Sequence, residues 1–199
     1  YFKVAALDKA GNWTPIPSEF QYNYVKDQVP PDLLGFDFPG VEVWTSSPTR
    51  YEAVNSTVPV QVIFSELMNF VGGDQAMSIV QTQDHLGNPM GTTIPYTVAW
   101  VELPTGTSAV ITPSLPGNQW PTGSRFVLHI DGFFTRDLAG NRLNVNYDVL
   151  FNTAMDPAIV NIGKSEDGNT TVTFQPGAFA PNPAGAAIAW HLLAQDPVE

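Results

Sequence analysis

Three observations predict an all-β fold for this sequence. Apolar and polar residues alternate along several short runs, the two-residue period of a half-buried strand. No window of about a dozen residues sustains an apolar period near 3.6, and prolines interrupt most candidates for a helix. Four turns share one local chemistry: Asp8-Lys9-Ala10-Gly11-Asn12, Asp84-His85-Leu86-Gly87-Asn88, Asp137-Leu138-Ala139-Gly140-Asn141 and Asp167-Gly168-Asn169. Asp bonds the backbone two residues on, while Gly and Asn tolerate positive φ, so each motif reverses a strand tightly.

Taken in order, Tyr1–Leu7 and Glu19–Tyr24 read as a terminal hairpin, with Phe20, Tyr22 and Tyr24 alternating against Gln21 and Asn23. Val29-Pro30-Pro31-Asp32 reads as a stiff extended linker, because adjacent prolines disfavour helix and cannot serve a central strand. Val58, Val60, Val62 and Phe64 place one apolar row on one face of a strand. The segment from Gly73 to Val80 is the candidate for a short helical turn. Phe126, Leu128 and Ile130 alternate opposite Arg125, Val127 and His129, and Val145, Tyr147, Val149 and Phe151 repeat the pattern. Met155-Asp156-Pro157 marks a second junction, with strand candidates beyond it at Thr170–Phe174 and Ala187–Leu193.

The expected organisation is therefore a terminal hairpin at 1–28, a sandwich at 29–155 and the opening strands of a further β-rich module at 156–199. A lone hairpin is marginal in water, and a short tail without cysteine or metal ligands rarely builds a core. Both ends thus read as parts of sandwiches, and the chain as a piece of a longer tandem protein. Its start, Tyr1-Phe2-Lys3-Val4, is neither an initiator Met nor a signal peptide.

Composition narrows the function. With 43% hydrophobic and 14% charged residues the chain can build a core, and wholesale disorder is excluded. Eight basic residues against 19 acidic ones, a formal charge of −11, argue against nucleic acid or an anionic membrane as partner. No run reaches the length of a membrane span. Cysteine is absent, which removes disulfides, thiolate metal sites and thiol nucleophiles. Low Lys, high Asn and Thr and the acidic balance fit an extracellular surface.

Motifs in the central block carry a resemblance. Val60-Gln61-Val62-Ile63-Phe64-Ser65-Glu66-Leu67-Met68-Asn69 resembles the V-x-V-x-F-S-E-P-M-D stretch of the bacterial Ig-like domain of surface-layer and adhesin proteins, with Leu67 at the usual proline. Asp84-His85-Leu86-Gly87-Asn88-Pro89, Ile111-Thr112-Pro113, the run from Pro121 to Leu128 and the run from Thr135 to Asn141 resemble that family's later motifs, in family order over about 40–153. Gly35 to Ser47 departs from the pattern, being longer and more aromatic than a typical first strand. The run from Tyr1 to Thr14 is similar to the last hairpin of a fibronectin type III-like domain. The run from Thr171 to Phe179 resembles the opening of other surface sandwich modules. The resemblance implies an Ig-like β-sandwich in a tandem array outside a bacterial cell, serving as a stalk, surface-layer or fibre component and not as a catalyst. The alternative it leaves open is an adhesin or carbohydrate-binding module.

Candidate sites are few. His85, His129 and His191 lie in separate segments, and no nucleophile elbow, zinc-protease helix or phosphate loop is present. Glu66 and Asp137 form a conceivable carboxylate pair, but nothing in the sequence fixes their separation. No enzyme and no organic cofactor are expected. The inorganic candidate is structural calcium, held by Asp8 with Asn12, by Asp137 with Asn141 or by Asp84 with Asn88; the competing role is that each Asp caps its own turn. Asp27, Asp32 and Asp156 flank the linkers. Among aromatics, Trp100 is expected in the core, and Trp13 and Trp120, near turns, are the exposed candidates for a protein interface or a sugar platform. Partners are expected to be neighbouring Ig-like domains or copies of the chain itself, with a glycan as the alternative. One mechanical form of this is strand complementation, in which Phe20, Tyr22 and Tyr24 of one subunit pair with Val172 and Phe174 of the next to make a head-to-tail fibre.

Overall fold

The computed structural model describes residues 10, 27–39, 42–44, 50–69, 76–164 and 169–178. The predicted hairpin, with Asp8, Asn12, Trp13, Phe20, Tyr22 and Tyr24, and the strand candidate at 187–193 lie outside the described residues.

Two sheets form a sandwich. The smaller holds β1 (Leu33–Asp37), β4 (Val60–Phe64), β8 (Gly106–Pro113) and β7 (Tyr96–Leu103) in the order β1-β4-β8-β7. The larger holds β2 (Glu42–Trp44), β3 (Arg50–Val54), β10 (Tyr147–Thr153), β9 (Arg125–Ile130), β5 (Met77–Gln83) and β6 (Pro89–Thr93) in the order β2-β3-β10-β9-β5-β6. All neighbours pair antiparallel except β3 and β10, which run parallel. A separate hairpin of β11 (Asn161–Lys164) and β12 (Thr171–Phe174) follows the sandwich. No helix among the described residues is long and apolar enough to cross a membrane.

The alternation read from sequence fills the space between the sheets. Val60, Val62 and Phe64 from the smaller sheet meet Ile79, Phe126, Leu128, Ile130, Val149 and Phe151 from the larger one, all buried. Burial of each such side chain contributes about 1.5–3 kcal/mol relative to leaving it in water. The stretch that departed from the family pattern adds an aromatic corner: Phe38 packs on Tyr51 at 4.2 Å and on Phe151 at 5.2 Å between centroids. Val145 falls before the start of its strand and is exposed.

Three expectations need correction. Met77 to Val80 is the start of β5, not a helical turn, since Met77 and Ile79 alternate inward against β9. Trp120 is not exposed: it is a fully buried core residue, its Nε1 donating to Val58 O at 3.1 Å. A ring near a turn can still point inward when the turn closes the end of a sandwich. Trp100 lies at the margin of the core, half-buried against Phe64.

Candidate functional site

The features with chemical content lie at the two ends of the sandwich. One end gathers the incoming chain at 27–32, the β4–β5 connection, the β7–β8 turn and the β9–β10 loop. Registers place them together, because Leu33, Phe64 and Thr107 are neighbours in one sheet and Met77, Ile130 and Tyr147 in the other. The bridge between Met68 and Asp137 ties the two sheets there. Incoming backbone is held firmly: Asp32 N donates to Ser65 Oγ (2.8 Å), and Ser65 N to Asp32 O (2.9 Å). Asn141 Nδ2 donates to Val29 O (2.9 Å) and Asp27 O (3.3 Å).

Asp137 is buried and closes its turn by accepting from Asn141 N (2.8 Å) and Asn141 Nδ2 (2.7 Å). The turn at Asp84 is built identically, with Asn88 N at 2.8 Å and Asn88 Nδ2 at 2.9 Å. Asn141 therefore presents a donor to Asp137, not a second oxygen for a cation. The oxygens that do gather around Asp137 come from Glu66, the partner conceivable from the sequence, and from Asp27, which the sequence does not pair with it: the three residues place carboxylate oxygens within 4.8 Å of one another. They line an anionic groove with Glu102, Pro104, Leu138 and Ala139, and no histidine or cationic side chain lines it among the described residues.

Burial, then the charges of Asp27 and Asp137, a hydrogen bond to Asp137 and the charge of Asp32 push the Glu66 carboxyl above its ordinary range. Such crowding relaxes by keeping a proton on Glu66 or by taking up a hard cation, for which the gathered oxygens, one from each carboxylate, are fewer than the six to eight calcium prefers. A folded-state value above the unfolded one makes ionising Glu66 costly, so the cost is absent at low pH and grows as pH rises through the raised value. Glu66→Gln is expected to raise the urea midpoint at neutral pH, and that advantage should vanish below the ordinary value of 4.5. An advantage that persists at low pH would mean that charge crowding is not the cause.

The opposite end holds the Asp84 turn, the segment before β9 and the β11–β12 hairpin. Ile162 N donates to His85 O (2.8 Å) and Arg125 Nη2 to Lys164 O (3.3 Å). Val172 and Phe174, expected at a subunit interface, pair along one edge with Gly163 and Asn161 of β11. Asp156 accepts from Ala158 N (2.8 Å) and so caps its own turn. His85 sits in its turn as expected. His129 lies on the outer face with Nδ1 2.6 Å from Asp148 Oδ1, a surface pair of the kind worth at most about 1 kcal/mol.

No family model matches the chain, and no curated protein matches it. Among solved structures, it is similar to the S-layer protein rSbsC(31-844), at 14% identity and a TM-score of 0.39 over 67% of this chain and 15% of that one. It is likewise similar to the N-terminal part of the bacterial S-layer protein SbsC, at 15% identity and a TM-score of 0.38 over 67% of this chain and 26% of that one. The chain thus spans well under two thirds of the S-layer chains it is similar to.

Proposed function

We propose that the chain is a non-catalytic, load-bearing module of an extracellular tandem protein, and that its sandwich is Ig-like. The strand order supports the second part. With β1, β4, β8 and β7 named A, B, E and D, and β3, β10, β9, β5 and β6 named A′, G, F, C and C′, the order is compatible with the two sheets of an immunoglobulin sandwich, with β2 added at one edge. The observation that carries the first part is the path of the chain. It is bonded at Asp27, Val29 and Asp32 to one end of the sandwich and at Ile162 and Lys164 to the other. A module whose flanking segments are fastened at opposite ends passes tension through itself. Antibodies raised against the chain should label intact source cells as strongly as permeabilised ones. Labelling only after permeabilisation would overturn the extracellular reading.

A contact role has one observation in its favour. Phe133 and Phe134 on the β9–β10 loop are 51% and 50% exposed, and the Arg142 guanidinium stacks 3.7 Å from the Phe133 ring centroid. Aromatic and arginine side chains dominate protein-contact hot spots. Burial of Trp120 removes one of the aromatics on which a sugar platform would have drawn.

A further inference from the structure

The start of β11 carries a buried polar group with no partner among the described residues. Asn161 is 1% exposed, and its Nδ2 donates both hydrogens within its own loop, to Asp156 O (2.8 Å) and Ile159 O (3.0 Å). Those two acceptors fix the orientation of the amide, so Oδ1 faces inward, and it has no hydrogen-bond partner among the described residues. A buried carbonyl left in that state bears the full cost of its desolvation, and native proteins rarely tolerate it.

The surroundings are shaped to this side chain. Gly123 has φ +61, and a Cβ there would lie 2.6 Å from Asn161 Oδ1. Gly87, at φ +73, lets Ile162 O approach to 3.1 Å of the position its Cβ would take. Beside Oδ1 is a crevice of about 20 Å³, lined by Gln83, Gly123, Arg125, Thr153 and Gly163 as well as Asn161. That volume holds one water molecule and no side chain. The occupant must donate to Oδ1, which excludes an anion. Arg125 lines the same crevice and its charge disfavours a cation there; its guanidinium carries more N–H donors than its bond to Lys164 O uses.

We propose that this crevice is a built water site, in which one internal water donates to Asn161 Oδ1 and accepts from the Arg125 guanidinium. The water completes a polar socket that locks the β11–β12 hairpin onto the sandwich. The joint is therefore stiff, and it sets the direction in which the chain leaves the sandwich. The site does not rest on the load-bearing reading.

A high-resolution crystal structure of the whole chain tests it without any variant. The expected result is an ordered water within hydrogen-bonding reach of both Asn161 Oδ1 and the Arg125 guanidinium. A dry crevice, or a protein donor on Oδ1, overturns the proposal. Amide exchange then tests the lock. In Asn161→Leu, the Ile162 N–H that bonds His85 O should exchange at least about tenfold faster while the core Leu128 N–H is unchanged. Equal acceleration at both amides, or none at Ile162, contradicts a local socket.

Discussion

Trp120→Ala is expected to cost about 3–5 kcal/mol of stability, on the scale of other large aromatic truncations in cores. The indole sits edge-on to Phe126 at 5.8 Å and to Phe151 at 5.5 Å, and these two rings stack on each other at 4.9 Å. Its removal empties the centre of the aromatic cluster that joins β9 to β10 and also strips Val58 O of its donor. Trp120→Phe separates the two contributions: it keeps most of the apolar contact and loses the bond, for an expected cost of about 1–3 kcal/mol. Urea unfolding followed by far-ultraviolet dichroism measures both. If Trp120→Ala costs less than about 1 kcal/mol, Trp120 is not a core residue.

Gly106→Ala is expected to be comparably damaging for a different reason. A Cβ at Gly106 would lie 1.9 Å from Phe64 O and 3.0 Å from Phe64 C, both backbone atoms that cannot step aside without parting β4 from β8. Its φ of +142 is also one that side-chain-bearing residues rarely adopt. Steric and conformational strain together should cost about 3 kcal/mol or more. Gly91→Ala is the control, because nothing lies within 4 Å of its missing Cβ; its effect should stay within about 0.5 kcal/mol. Equal effects at the two glycines would contradict the close packing of the β7–β8 turn on β4.

The strands were legible because their faces differ. Val60, Val62 and Phe64 carry the period of two without interruption, as do Phe126, Leu128 and Ile130, and each became a buried row. The Asp84 and Asp137 turns were legible because an Asp and an Asn four residues apart have few other local geometries in which both side chains are satisfied. Trp120 was misread because proximity to a turn says nothing about which way a ring points. The Asp27–Glu66–Asp137 cluster was invisible as a trio. Its members come from the incoming segment, the β4–β5 connection and the β9–β10 loop, and only the sandwich topology puts those at one end. The signal available was that Glu66 and Asp137 each follow a strand pointing to that end. Asn161 gave no signal, since its role depends on the absent side chain of Gly123.

The parallel pair β3–β10 makes the proposed transmission of tension measurable. Tension entering before β1 and leaving after β10 pulls these strands in opposite directions along their length. The bonds joining Arg50, Tyr51 and Val54 to Leu150, Phe151 and Thr153 are then loaded together in shear. Pulling instead on Tyr96 and Pro113 opens the antiparallel β7–β8 hairpin one pair at a time. The chain contains no cysteine, so introduced pairs give unique attachment points for single-molecule pulling in either geometry. End-to-end pulling is expected to resist to a severalfold higher force than pulling across β7 and β8. Equal forces in the two geometries would contradict the proposed transmission.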